Sequence, residues 1–72
     1  MGQLGNFVKK HRLDANKTQE EYALMLGMSK PTVIKIEQGK YLGMQTLRKL
    51  SAYYNVSVKL LRRWMIFEDN ES

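Results

Sequence analysis

Start and stop signals crowded into mid-chain constrain this sequence more than any other feature. Thr18-Gln19-Glu20-Glu21 has the form of a capping box, in which the Thr18 hydroxyl accepts from the Glu21 amide and the Glu21 carboxylate accepts from the Thr18 amide. A helix opened there stops at Gly27, because glycine tolerates positive φ without steric cost. A new start follows at once. Ser29 is a good N-cap, and Pro31 falls in the first turn, where its missing N–H costs no hydrogen bond. Gly39 ends this second segment. Tyr22, Ala23 and Leu26 form the inner stripe of the first segment, Val33 and Ile36 that of the second. The chain is thereby committed to two short helices joined by a tight turn around a glycine.

The same reading extends to both ends. A helix is predicted over about residues 3–14, with Leu4, Phe7, Val8 and His11 on one side. Asp14-Ala15-Asn16-Lys17 stops it, since Asn16 can take the left-handed conformation. Lys40 to Gly43 reads as a loop, and a fourth helix is predicted from Gln45 to Tyr54, with Leu47, Leu50 and Tyr54 spaced for burial. Met44 is a poor N-cap for it, and Asn55 ends it. Ser57 caps a fifth helix that carries Val58, Leu61 and Met65 on one stripe. Strand-like alternation is scarce. The expected fold class is all-α: a compact five-helix domain over residues 1–67, then a short, acidic, flexible tail over residues 68–72.

Nothing covalent helps so small a domain. With no cysteine in 72 residues, disulfides, thiolate zinc sites and cysteine nucleophiles are excluded, and the single histidine, His11, excludes a histidine-rich metal site. No metal and no cofactor are expected. Ser29, His11 and Asp14 have the atom types of a catalytic triad, but Ser29 is committed as a cap and no preorganised pocket is implied, so no enzyme is expected. No apolar run approaches the roughly 18 residues of a membrane span, and the N-terminal residues lack the apolar region of a secretory leader, so an intracellular location is expected. The net charge is +5, unevenly spread. Glu68, Asp69 and Glu71 are three of the seven acidic residues, so residues 1–67 hold twelve basic side chains against four acidic ones. A surface that positive attracts polyanions, nucleic acid foremost.

Residues 19–38 resemble the helix-turn-helix of the Cro and CI-type phage repressor family, in the order Gln19, Ala23, Gly27, Val33, Ile36. The similarity continues in Arg12 and Glu37, in Ile36-Glu37-Gln38-Gly39-Lys40, in Thr46-Leu47-Arg48-Lys49-Leu50-Ser51 and in Asn55-Val56-Ser57-Val58, and covers about residues 4–63. The resemblance implies a lambda-repressor-like fold. It also implies a sequence-specific regulator that reads operator DNA with its third helix, about residues 30–38, in a lysogenic/lytic switch, in the cytoplasm of a bacterial host. Carried over by position, the base-reading candidates are Ser29, Lys30, Pro31, Thr32 and Lys35. Gln19 matches the family's phosphate-bonding glutamine, Arg12 and Glu37 its structural ion pair, and Lys40, Arg48 and Lys9 are backbone-contact candidates.

Several outward positions depart from that family pattern by being apolar. Leu24 and Met25 lie off the inner stripe of the second helix, and Ile34 lies on the reading side of the third. Tyr41, Leu42 and Met44 crowd the following loop, where Leu42 and Met44 are expected to fold back into the core. Leu60, Trp64 and Phe67 form a second stripe on the fifth helix. Two surfaces follow. The stripe of Leu60, Trp64 and Phe67 suits a homodimer, and Leu24, Met25 and Ile34 suit a protein partner. The reading helix carries lysines and lacks the Arg, Asn and Gln of the sharpest base recognition. The alternative function is therefore a modulator or antirepressor that binds a cognate CI-type repressor.

Overall fold

The computed structural model describes residues 3–66. Five helices follow in chain order: α1 (Gln3–Asp14), α2 (Gln19–Leu26), α3 (Lys30–Glu37), α4 (Met44–Tyr54) and α5 (Val58–Ile66). Among the described residues there is no strand. Phe67 and the expected tail over residues 68–72 lie outside the described residues.

Local chemistry sets most of the boundaries. The Glu21 amide donates to Thr18 Oγ1 at 3.1 Å, and the Thr18 amide donates to Glu21 Oε1 at 2.9 Å. That amide holds the Glu21 carboxyl below the usual carboxylate range. At the far end of α2, Gly27 takes φ 74°, and the Gly27 and Met28 amides donate back to the Leu24 and Ala23 carbonyls. Asn16 at φ 62° and Asn55 at φ 58° end α1 and α4 in the same left-handed way. Two start signals differ from the sequence reading. Helix α4 opens at Met44 with Gly43 in the cap position, so Met44 is the first helical residue rather than the cap. Ser29 occupies the cap position of α3, but its hydroxyl bonds the Thr32 hydroxyl at 3.0 Å instead of a backbone amide.

All five helices contribute to one core, whose most enclosed side chains are Val8, Val33, Ile36, Leu47, Leu50 and Leu61. Leu42 folds into this core as expected, and its amide donates to Met65 Sδ at 3.2 Å. Met44 does not: it stays 41% exposed, because the helix that begins there points it outward. Trp64 is half-buried and lays its ring on Phe7 at a centroid distance of 5.1 Å. His11 is exposed, with Nδ1 2.8 Å from the Phe7 carbonyl oxygen and its ring 4.3 Å from that of Phe7. Among the described residues no helix is long and apolar enough to cross a membrane.

The crossing of α1 over α3 depends on Gly5. A Cβ there would meet the Ile36 carbonyl oxygen at 2.7 Å and the Glu37 carbonyl oxygen at 3.0 Å. Both are backbone atoms, so the two helices would have to separate. Alanine has the better helix propensity by roughly 1 kcal/mol, yet Gly5→Ala is expected to lower stability by about 1–3 kcal/mol because the overlap outweighs that gain. Urea unfolding of the variant checks this, and an unchanged midpoint would show that the crossing relaxes freely.

Tyr22 and Tyr54 join α2 to α4 through their hydroxyls, 2.8 Å apart. Burial pushes both phenols above the ordinary tyrosine value of 10.0. The sign is then determined. Below pH 10 both states keep their protons and the pair's contribution is complete; above it the unfolded chain ionises first, and stability falls as pH rises. Thermal melts between pH 8 and pH 11 should therefore show a progressive loss toward the alkaline end. Tyr54→Phe should flatten that loss while costing about 1–3 kcal/mol near neutrality, because the Tyr22 hydroxyl is left without its partner.

Candidate nucleic-acid interface

Burial of Val33, Ile36 and Glu37 turns the opposite side of α3 outward. Pro31 and Lys35 are exposed there, Lys30 is exposed as the first residue of the helix, and Thr32 and Ile34 are half-buried. Among the described residues no carboxylate pairs with Lys30, Lys35 or Lys40. Lys40, just beyond Gly39, is likewise exposed. Gln38 was missed by the sequence reading. It sits in the C-cap position and is exposed, and with Pro31 and Lys35 it completes an i, i+4, i+7 stripe. Its amide supplies a donor and an acceptor, so the reading side does not lack an amide side chain after all. The spacing alone would have revealed it.

Behind this helix lies a shallow polar cleft of about 270 Å³ between the starts of α3 and α4. Met28, Ser29, Thr32, Gln45, Thr46 and Lys49 line it. Neither helix start is closed by a side-chain cap; in α3 Pro31 has no N–H and the Thr32 amide donates to the Ser29 carbonyl, so the Lys30 amide and the first-turn amides of α4 are left for solvent or an anion. Gln45 and Thr46 were not singled out from sequence, because their closeness to Ser29 and Thr32 exists only once α4 has packed.

The orientation of α3 is held by a buried ionic junction. Arg12 on α1 donates to Glu37 through Nε at 2.7 Å and through Nη2 at 3.2 Å. Its Nη1 also donates to the Lys17 carbonyl at 3.0 Å. Gln19, at the start of α2, turns inward and gives its Nε2 to Glu37 Oε1 at 3.1 Å. The Glu37 hydrogen bonds raise the Arg12 guanidinium above its ordinary value, so it stays charged. Arg12, Gln19 and Glu37 thus join three helices. Gln19, half-buried, here holds Glu37 rather than standing free at the surface.

The apolar surfaces are placed less uniformly. Leu24 is 78% exposed and Met25 44% exposed on the outer side of α2. Ile34 is half-buried, which narrows the apolar area that α3 adds to them. On α5, Leu60 is half-buried and Trp64 is partly used against Phe7, while Phe67 lies outside the described residues.

With this geometry in hand, comparison with known proteins places the chain. A family model described as helix-turn-helix matches residues 8–61. A relative from Methanocaldococcus jannaschii, described as an uncharacterized HTH-type transcriptional regulator, is 36% identical over 67 residues, which cover 92% of this chain and 97% of the relative. No solved structure matches.

Proposed function

Because the chain belongs to the helix-turn-helix family, we propose that it is a sequence-specific, DNA-binding transcriptional regulator that reads the major groove of an operator with α3. The observation that carries this reading is the cationic exposure of α3, where Lys30 and Lys35 face solvent with no carboxylate partner among the described residues. A helix of this kind enters the major groove with its N-terminal residues against base edges. Lys30 and Lys35 donate to guanine O6 and N7, Pro31 and the edge of Ile34 meet thymine methyl groups, and Ser29 and Thr32 offer hydroxyls. Lys40 holds phosphate from the loop, and Gln19 adds a phosphate contact from the start of α2 through the Nε2 hydrogen that Glu37 does not take. Two copies joined through Leu60, Trp64 and Phe67 would set their reading helices about 34 Å apart, one turn of the duplex.

The Cro and CI-type resemblance of residues 4–63 supports the finer reading, control of a phage or mobile-element lysogenic/lytic switch in the cytoplasm of a bacterial host. The M. jannaschii relative's description as a transcriptional regulator supports the coarser one. One observation favours a second reading: Leu24 is 78% exposed beside Met25, an apolar surface that DNA does not need. On that reading the chain is a modulator or antirepressor that binds a cognate CI-type repressor through Leu24, Met25 and Ile34.

A salt titration separates the two. On a duplex selected from a randomised pool, affinity should fall steeply between about 50 and about 200 mM salt. Preference over a scrambled duplex should persist, on the order of a thousandfold. Equal, weak binding to both duplexes, together with loss of function in Leu24→Asp, would give the decision to the protein-partner reading.

A further inference from the structure

We infer that Lys49 is a positioning residue for the reading helix: carried on α4, it ties down the turn from which α3 departs. Its effect on recognition rests on the DNA reading above, whereas its geometry does not. Lys49 Nζ donates to the Gly27 carbonyl at 2.7 Å, a length typical of charge-assisted bonds. Gly27 is where the chain leaves α2 in the left-handed conformation, so this carbonyl lies just beyond the negative end of the helix. Helix α2 has no basic residue in its own last turn. The neighbouring carbonyls of Ala23 and Leu24 are taken by the Met28 and Gly27 amides. The cation that suits this helix end therefore comes from α4. Lys49 lies between two clefts, one lined by Ser29, Thr32 and Thr46 and the other by Leu26, Ala52 and Tyr53, and no carboxylate lines either to draw the ammonium away.

The consequence is leverage. Only Met28 and Ser29 separate Gly27 from the first residue of α3. Helix α3 has eight residues and so is about 12 Å long; a rotation of about 10° at the turn moves its far end by about 2 Å. Hydrogen bonds to base edges tolerate only a few tenths of an ångström, so a looser turn loses specific contacts while leaving the overall charge intact.

The test uses the full chain as Lys49→Met and Lys49→Arg, titrated at two salt concentrations against a duplex selected on the wild-type protein and a scrambled control. Lys49→Met should weaken the selected duplex about three- to tenfold, with binding to the scrambled duplex and the salt slope unchanged. Lys49→Arg should restore most of the loss. In the free protein, hydrogen exchange at the Met28, Thr32 and Val33 amides should quicken in Lys49→Met while amides of α1 do not. A salt slope reduced by about one, with both duplexes weakened alike, would overturn the inference and make Lys49 a phosphate contact. Unchanged affinity and exchange would overturn it as well. If the wild-type protein bound no duplex, the DNA reading would fail, and exchange at those three amides would still decide whether the tether exists.

Discussion

Glu37→Ala is expected to cost about 3–5 kcal/mol, the largest effect of any single substitution considered for this chain. The carboxylate is buried and accepts from Arg12 twice and from Gln19 once. Its removal leaves a guanidinium, itself only 12% exposed, without a counter-charge, and an amide without an acceptor. A domain this small has little stability in reserve, so the variant should be largely unfolded by circular dichroism at room temperature or melt far below wild type. The buried pair is nonetheless a poor source of net stability, because both ions had to leave water. A double variant, Arg12→Met with Glu37→Leu, should recover most of the loss in urea unfolding. If it melts as low as Glu37→Ala, the junction contributes more than charge compensation. If Glu37→Ala melts like wild type, the junction contributes little. Recovered stability without recovered DNA binding would mean that the junction sets the angle of α3.

The second large effect concerns recognition rather than folding. Lys30→Ala combined with Lys35→Ala should leave the melting temperature nearly unchanged, since both side chains are exposed and neither is in an ion pair among the described residues. Affinity for a selected duplex should fall on the order of a hundredfold or more, from about 1–3 kcal/mol for each good base contact. The preference over scrambled DNA should fall with it. Lys59→Ala, an exposed lysine on α5, is the control for charge alone and should weaken both duplexes only slightly. A double variant that binds the selected duplex like wild type would remove α3 as the reader and leave the apolar surface around Leu24 as the functional one.

Much of this protein could be read from its residues in order, because the deciding interactions are local. The Thr18–Glu21 box, the left-handed stops at Gly27, Asn16 and Asn55 and the Ser57 cap of α5 each close hydrogen bonds within a few residues of themselves. Nothing elsewhere in the fold is needed to form them. Helical spacing of apolar residues likewise placed Val33 and Ile36 inward and so left Lys35 outside. Even the pairing of Arg12 with Glu37, far apart in the chain, was anticipated from the resemblance to repressors.

Packing decided the rest. Gly5 looks like an ordinary helix weakness until α3 lies against it, and then it is the one residue that admits the Ile36 carbonyl. Leu42 and Met44 are both apolar and close together in the chain, but only Leu42 meets the core, because α4 begins at Met44 and carries it away. Gln19 has a polar side chain free to face either way, and its choice of Glu37 depends on where α3 ends. The approach of Gln45 and Thr46 to the start of α3, and of Lys49 to Gly27, arises from the position of α4. A hydrogen bond between neighbours in sequence is specified by residue type and spacing. A contact between helices is specified only when every side chain in the shared core has found its volume.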